Sequence, residues 1–347
     1  MRNLILVLAM IMIVPGTCRA GAAAPVMFAS YAGDAEQLRH TLVLVESVRT
    51  FGGRLADAPV RIYVPSSLLK TQEKLVKRFS SLDAEVRSSD APADARAIPF
   101  AGKVFAAARA EKEAKGAASI LVWMDEDTVV LAEPGELALA KHASLGYRPV
   151  MHRNIGSVYS EKPDAFWSRV YEKLAVPESA VFPMKTVTGD ATVRAYFNAG
   201  LLAVRPERGI MKRWAEAFTT LYLDPVTAGM CEKDKRLGVF LHQAALSGAI
   251  VKHVPRNEMT PLPASYNYPI FFKEMYGADK PYDSIDGVVT LRYDVYFKNP
   301  APDWSAKLKG PGEKVSWLGT RLGAGSGEKK GADTKLRYKF QSGGKPS

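Results

Sequence analysis

Cysteine is almost missing from this chain: Cys18 and Cys231 are the only two among 347 residues. Cys18 lies in an N-terminal segment that reads as removable, so a disulfide framework within the mature chain is excluded. Cys231 reads as a small buried residue rather than a nucleophile. No HExxH, CxxC or G-x-S-x-G pattern occurs, which leaves zinc-hydrolase and serine-hydrolase readings without support. Beyond the first residues no apolar run is long enough to span a membrane. Internal repeats and nucleic-acid motifs are missing too, so nucleic acid is not an expected partner.

What is present is ordinary for a globular protein, at 47% hydrophobic and 24% charged residues. The length suits one large domain or two small ones. Loss of Arg2 and Arg19 takes the formal charge from +11 to +9. The stretch from Arg321 to Ser347 carries seven Lys or Arg against two acids, a net of +5. The body is therefore only mildly basic, which suits an anionic small ligand or a membrane surface.

The opening MRNLILVLAMIMIVPGTCRAGAAAP places Arg2 before an apolar run from Leu4 to Val14, then small residues. That is the pattern of a secretory signal peptide over residues 1–22, with Ala20-Gly21-Ala22 as the cleavage site and Cys18-Arg19-Ala20 as a weaker one. Export to the periplasm or outside is expected; the alternative is an uncleaved membrane anchor. Cys18 lacks the usual neighbours of a lipidated cysteine. Residues 25–318 read as the folded domain. From Gly319 to Ser347, Gly, Ser and Lys dominate, and a disordered basic tail suited to peripheral membrane contact is expected.

Within the domain, strands are expected over 25–30, 60–64, 84–87 and 120–124, with helices over 34–51, 66–79 and 103–115 between them. Asp34 and Gln37 have the spacing of a capping box, and Gly52-Gly53 stops the helix they open. Further on, helices are expected over 166–174, 206–223 and 237–246, and strands over 196–204, 250–254 and 288–291. Strands alternating with helices indicate an α/β fold with an open, mostly parallel sheet. Such sheets bind ligands at the carboxyl ends of their strands.

ILVWMDEDTVVLAEP delivers Asp125, Glu126 and Asp127 to that end of a buried strand. Paired carboxylates bind hard divalent cations, and Mg²⁺ or Mn²⁺ there can stabilise a departing diphosphate. A solvated acidic turn is the bland alternative. An EF-hand loop fails, because Val129 and Val130 fall where an oxygen ligand and Gly are needed. GAGSGEKK lacks phosphate-loop spacing and reads as linker.

Four motifs in order resemble a nucleotide-diphospho-sugar transferase of the GT-A fold, in the style of the retaining family 8 glycosyltransferases. They are VMFASYAGDAEQLRHTLVLVESVRTF, ILVWMDEDTVVL, AYFNAGLLAVRP, and LHQAALSGAI followed by LPASYNYP, spanning roughly residues 25 to 300. The resemblance implies a Rossmann-like nucleotide-binding half, an acceptor half and flanking helices. It implies Mn²⁺ or Mg²⁺ on Asp125 and Asp127, and a nucleoside-diphosphate sugar as donor. A glycan, lipid or protein would be the acceptor. Ser30 and Tyr31 would meet the nucleotide, and Lys103 phosphate or sugar. Asn198 and Gln243 would line the donor and acceptor pocket as catalytic residues. Lys103 could equally be a solvated helix lysine, and Asn198 a buried amide satisfying backbone. His152 and His242 rank behind them as structural.

One departure stands out. The family's third metal ligand is a His, and VTLRYDVYFKNP occupies about its place with Arg292 and Asp294 instead. Asp294 could replace it as an oxygen ligand, or Arg292 could bind diphosphate directly. Two rival functions remain open on the same site: an exported non-catalytic sugar- or nucleotide-binding relative, and a metal-dependent nucleotide-sugar hydrolase.

Overall fold

Alternating side chains of the first strand divide the molecule into two faces. A computed structural model describes residues 24–270, 284–293 and 309–322. In β1 (Ala24–Tyr31), Val26 and Phe28 enter one apolar cluster while Met27 and Ala29 enter another, as a period of two requires. α1 (Ala35–Phe51) follows, and the Asp34 carboxylate accepts from the Gln37 N–H at 2.8 Å. Gln37 returns a bond to the Gly33 N–H rather than to the cap itself. Leu38, Leu42, Val45 and Val48 are buried, the face expected from their spacing.

β2 (Val60–Val64) precedes α2 (Ser66–Thr71) and α3 (Glu73–Ser80). The single helix expected over 66–79 divides at Gln72, whose ψ of 35° leaves the helical region. Then come β3 (Ala84–Ser88), α4 (Ala101–Ala114), β4 (Ala118–Met124), β5 (Thr128–Val130), β6 (Leu145–Pro149) and α5 (Ala165–Leu174). A hairpin of β7 (Pro183–Lys185) and β8 (Thr192–Arg194) leads to β9 (Phe197–Val204). α6 (Ile210–Tyr222), α7 (Pro225–Lys233) and α8 (Lys235–His253) pack in succession. The remainder is β10 (Met259–Pro261), β11 (Tyr268–Pro269), β12 (Thr290–Arg292) and α9 (Gly312–Leu322).

The main sheet has seven strands in the order β10-β6-β9-β4-β1-β2-β3. Neighbours in β3-β2-β1-β4 pair in parallel, as do β6 and β10; β9 runs antiparallel to both β4 and β6. Trp123, Trp167, Trp214 and Phe218 fill the core on the face of α4, α5, α6 and α8. Ile62, Val122, Leu38 and Phe79 fill the core under α1 and α3. Helices on both faces of a mostly parallel sheet are the α/β class expected. A smaller sheet, β11-β12-β5, carries a third cluster with Leu291, Tyr293, Leu318 and Leu322.

Several boundaries are corrected. Residues 250–254 are not a strand: α8 runs to His253, with Ile250 and Val251 buried in the core on which the helix packs. Tertiary packing overrides β-branched propensity there. Pro206–Arg208 form a separate 3₁₀ turn, and Gly209 at φ 65° starts α6 afresh. The expected tail start at Gly319 falls inside α9, whose Leu322 is buried. The signal segment, Asp294 and residues 323–347 lie outside the described residues. No helix among the described residues is long and apolar enough to cross a membrane.

Candidate active site

β4 ends at Met124, so Asp125 is the first residue past the carboxyl end of a buried parallel strand. Its N–H donates to the Gly200 carbonyl of β9 at 2.9 Å, and its carbonyl accepts from Thr128 at 3.2 Å. This turn aims Asp125 and Asp127 at one spot before the chain enters β5. β12 lies antiparallel to β5 with Arg292 opposite Thr128, and the Tyr293 N–H donates to the Asp127 carbonyl at 3.0 Å. Arg292 is thereby brought to the turn from far along the chain.

The resulting cluster is tightly paired. Lys103 Nζ, from the first turn of α4, lies 2.5 Å from Asp125 Oδ1. Arg292 Nη1 lies 3.2 Å from Asp125 Oδ2. Arg292 also pairs with Asp127: Nη2 donates to Oδ2 at 2.9 Å, while Nε lies 2.6 Å from Oδ1 as an ion pair without hydrogen-bond geometry. Burial pushes the Asp125 carboxyl up, but the Lys103 and Arg292 cations outweigh it and hold it below the usual range. Glu126 goes the other way: burial, then the charges of Asp127 and Asp125, push it up to about 8.

Around this cluster the expected residues fall in different places. Asn198 Oδ1 accepts from the Gly200 N–H at 2.7 Å, beside the guanidinium. Gln243 Oε1, from α8, accepts from the Ala199 N–H at 3.2 Å. Both amides therefore brace β9 with their oxygens, the structural role weighed for Asn198. Tyr31, at the end of β1, rests its ring on Gly102 of α4 and feels the Glu126 charge. Burial first, then nearby acids, raise its hydroxyl to about 12. The Ser30 hydroxyl is buried with no hydrogen-bond partner among the described residues. Lys103 is 7% exposed and ion-paired, so the solvated-lysine reading fails.

His242 packs its ring 4.3 Å from that of Phe100, and burial, then Lys103, lower it to about 3. It stays neutral at the edge of the site. His152 lies by Asp190, lowered mainly by burial. Cys231 is half-buried and burial raises its thiol to about 11, consistent with an unreactive residue.

Two contributors escaped the sequence. Gly200 makes room: a Cβ there would collide with Arg292 Nη1 and lie 2.9 Å from Asp125 Oδ2. Phe100 caps α4 with φ 63°, a left-handed conformation rare for a bulky residue, and its ring lies 5.6 Å from Lys103 Nζ. The glycine of the FNAG strand was the available signal for the first. For Phe100 no local signal marks a left-handed backbone.

Residues 31–253 match the family described as Rhodobacterales glycosyltransferase domain. No curated protein matches the chain. Among solved structures, the chain is similar to the galactosyltransferase LgtC in complex with donor and acceptor sugar analogs. The identity is 16% and the TM-score 0.44, covering 86% of this chain and 96% of that one. Mouse xyloside xylosyltransferase 1 is 13% identical at a TM-score of 0.42, covering 78% of this chain and 98% of that one. Core-mannan synthase A from Aspergillus fumigatus, in its Mn/GDP form, is 9% identical at 0.41, covering 70% and 74%.

Proposed function

We propose, from the premise that this chain belongs to the Rhodobacterales glycosyltransferase domain family, that it transfers a hexosyl group from a nucleoside-diphosphate sugar to a glycan, lipid or protein acceptor. The observation that carries this reading is the convergence of Lys103 and Arg292 on Asp125 and Asp127 at the carboxyl end of β4. Ligands of open α/β sheets bind there. In transfer, the anomeric C–O bond breaks with its electron pair leaving on the diphosphate, while the acceptor hydroxyl oxygen bonds to the anomeric carbon and its proton passes to the departing diphosphate. Fixed cations beside the leaving oxygens stabilise the charge that develops on them.

A divalent metal is the group the resemblance adds to this site. Its ligands would be Asp125 and Asp127, with Asp294 beyond the described residues. Among the described residues no group of three or more His, Cys, Asp or Glu is placed to hold one. All four oxygens of the two carboxylates already face a cation. This arrangement of the described residues does not fit a bound metal.

The reading is tested by incubating the full chain with UDP- and GDP-sugars and measuring nucleotide binding and nucleoside-diphosphate release with and without oligosaccharide acceptors. Acceptor-stimulated release supports transfer, and release that ignores acceptors supports the hydrolase. No nucleotide binding by folded protein ends the reading. Retention of configuration is proposed on motif order alone; the anomeric proton of the product, followed by NMR, decides it. Export through residues 1–22 is also proposed, and N-terminal sequencing of the mature chain tests it.

A further inference from the structure

We propose that Arg292, seated on Asp125 and Asp127 with Lys103 beside it, takes the place of a divalent cation, so that the donor diphosphate is held without metal. The inference rests on the donor-binding reading above and states how that site meets its anion.

The first ground is the pairing itself. Lys103 takes Asp125 Oδ1, while Arg292 takes Asp125 Oδ2 and both oxygens of Asp127. Mg²⁺ binds oxygens at about 2.0–2.1 Å in an octahedral shell and gives up water reluctantly. To enter here it would have to strip carboxylate oxygens from two cations and then sit against both. Two carboxylates facing two cations are already neutral, so the field that draws a dication to paired aspartates is cancelled.

The second ground is that the seat is built for a guanidinium. The β5–β12 register sets Leu291 opposite Val129 and Arg292 opposite Thr128, while the Tyr293 N–H locks onto the Asp127 carbonyl. The Tyr293 hydroxyl and His40 Nδ1 meet at 3.0 Å, tying the same segment to α1. Gly200 leaves open the volume that Arg292 Nη1 uses. Side-chain exposures of 12% for Arg292, 12% for Asp125 and 10% for Asp127 keep the pairs away from bulk water. Burial of this kind weakens electrostatic screening.

The third ground is chemical. Arginine keeps its charge at any working pH, and its planar fork matches phosphate as well as carboxylate. Lysine supplies a second phosphate-binding charge. A diphosphate entering beside this pair meets positive charges whose positions the aspartates already hold, the preorganisation that electrostatic stabilisation of a leaving group requires.

The test is calorimetric titration of UDP and GDP into the full-length protein, in EDTA and again with Mn²⁺, for wild type, Arg292→Ala and Arg292→His. Wild type is expected to bind one of the two nucleotides in EDTA within about threefold of its affinity in Mn²⁺. Arg292→Ala is expected to lose at least about tenfold in EDTA. Arg292→His, which exchanges the cation for a metal-ligating imidazole, is expected to bind only when Mn²⁺ is present. Wild-type binding that requires Mn²⁺ would overturn the inference and leave the donor-binding reading standing. Binding of neither nucleotide in either condition would overturn both. The wild-type comparison stands even where a variant fails to fold.

Discussion

Arg292 and Asp127 lie 165 residues apart in the chain, yet the guanidinium donates to the carboxylate at 2.9 Å and makes a second ion-pair contact at 2.6 Å. Little water reaches the pair, and removal of Asp127 leaves the buried guanidinium with only Asp125, which Lys103 already shares. Asp127→Ala is therefore expected to lower unfolding free energy by about 3 kcal/mol. Urea denaturation followed by circular dichroism measures it. A loss below about 0.5 kcal/mol would mean that Arg292 finds equal company elsewhere.

Gly200→Ala tests the seat without touching a charge. Its Cβ would press on Arg292 Nη1, Asn198 Oδ1 and Asp125 Oδ2, while β9 keeps its ladder to β4 and β6. The expected result is a native circular-dichroism spectrum with nucleotide affinity down by about tenfold or more. Unchanged affinity would show that the guanidinium position does not matter to the anion.

His242 supplies a pH signature. Burial, then Lys103, lower it to about 3, against an ordinary value of about 6.5 in the unfolded chain. Between those values the unfolded state binds the extra proton, so stability rises with pH across this window and is complete above it. His242→Phe keeps a ring against Phe100 and Trp214 but has nothing to titrate. The melting temperature of the variant is expected to change less than wild type between about pH 4 and about pH 7. Parallel curves for the two proteins would refute this.

Asp34 is a helix cap and stands clear of the paired cluster. Asp34→Ala removes the 2.8 Å bond to the Gln37 N–H and is expected to lower stability by about 1 kcal/mol. Nucleotide affinity should stay at the wild-type value. Thermal melts and the same titration check both parts, and a loss of affinity would tie α1 to the site more closely than its cap suggests.

Local chemistry was enough to read much of this protein. The buried run ILVWM, the acids after it, the Asp34 cap and the alternation of strands with helices are short-range patterns. They placed Asp125 and Asp127 at the carboxyl end of a parallel strand, and β4 puts them there. Lys103 was also within reach, since it lies on the helix that precedes that strand. Propensity failed where distant packing governs. Ile250 and Val251 favour a strand by themselves but complete α8, where both are buried in the core. β6 contains Gly146 and Pro149 and carries no strong strand signal, yet β9 gives it a partner.

Only the tertiary structure places Arg292 against the two aspartates. From sequence, Asp294 was the candidate metal ligand and Arg292 a candidate for the diphosphate; no spacing rule predicts that Arg292 reaches the aspartates, and Asp294 lies outside the described residues. The antiparallel register of β12 on β5 puts Arg292 at the turn, and Gly200 on a third strand leaves the volume it occupies. A carboxylate pair written locally can serve a metal or a cation from the protein. The choice depends on which side chain the fold carries to within about 3 Å, and that is a long-range property of the chain.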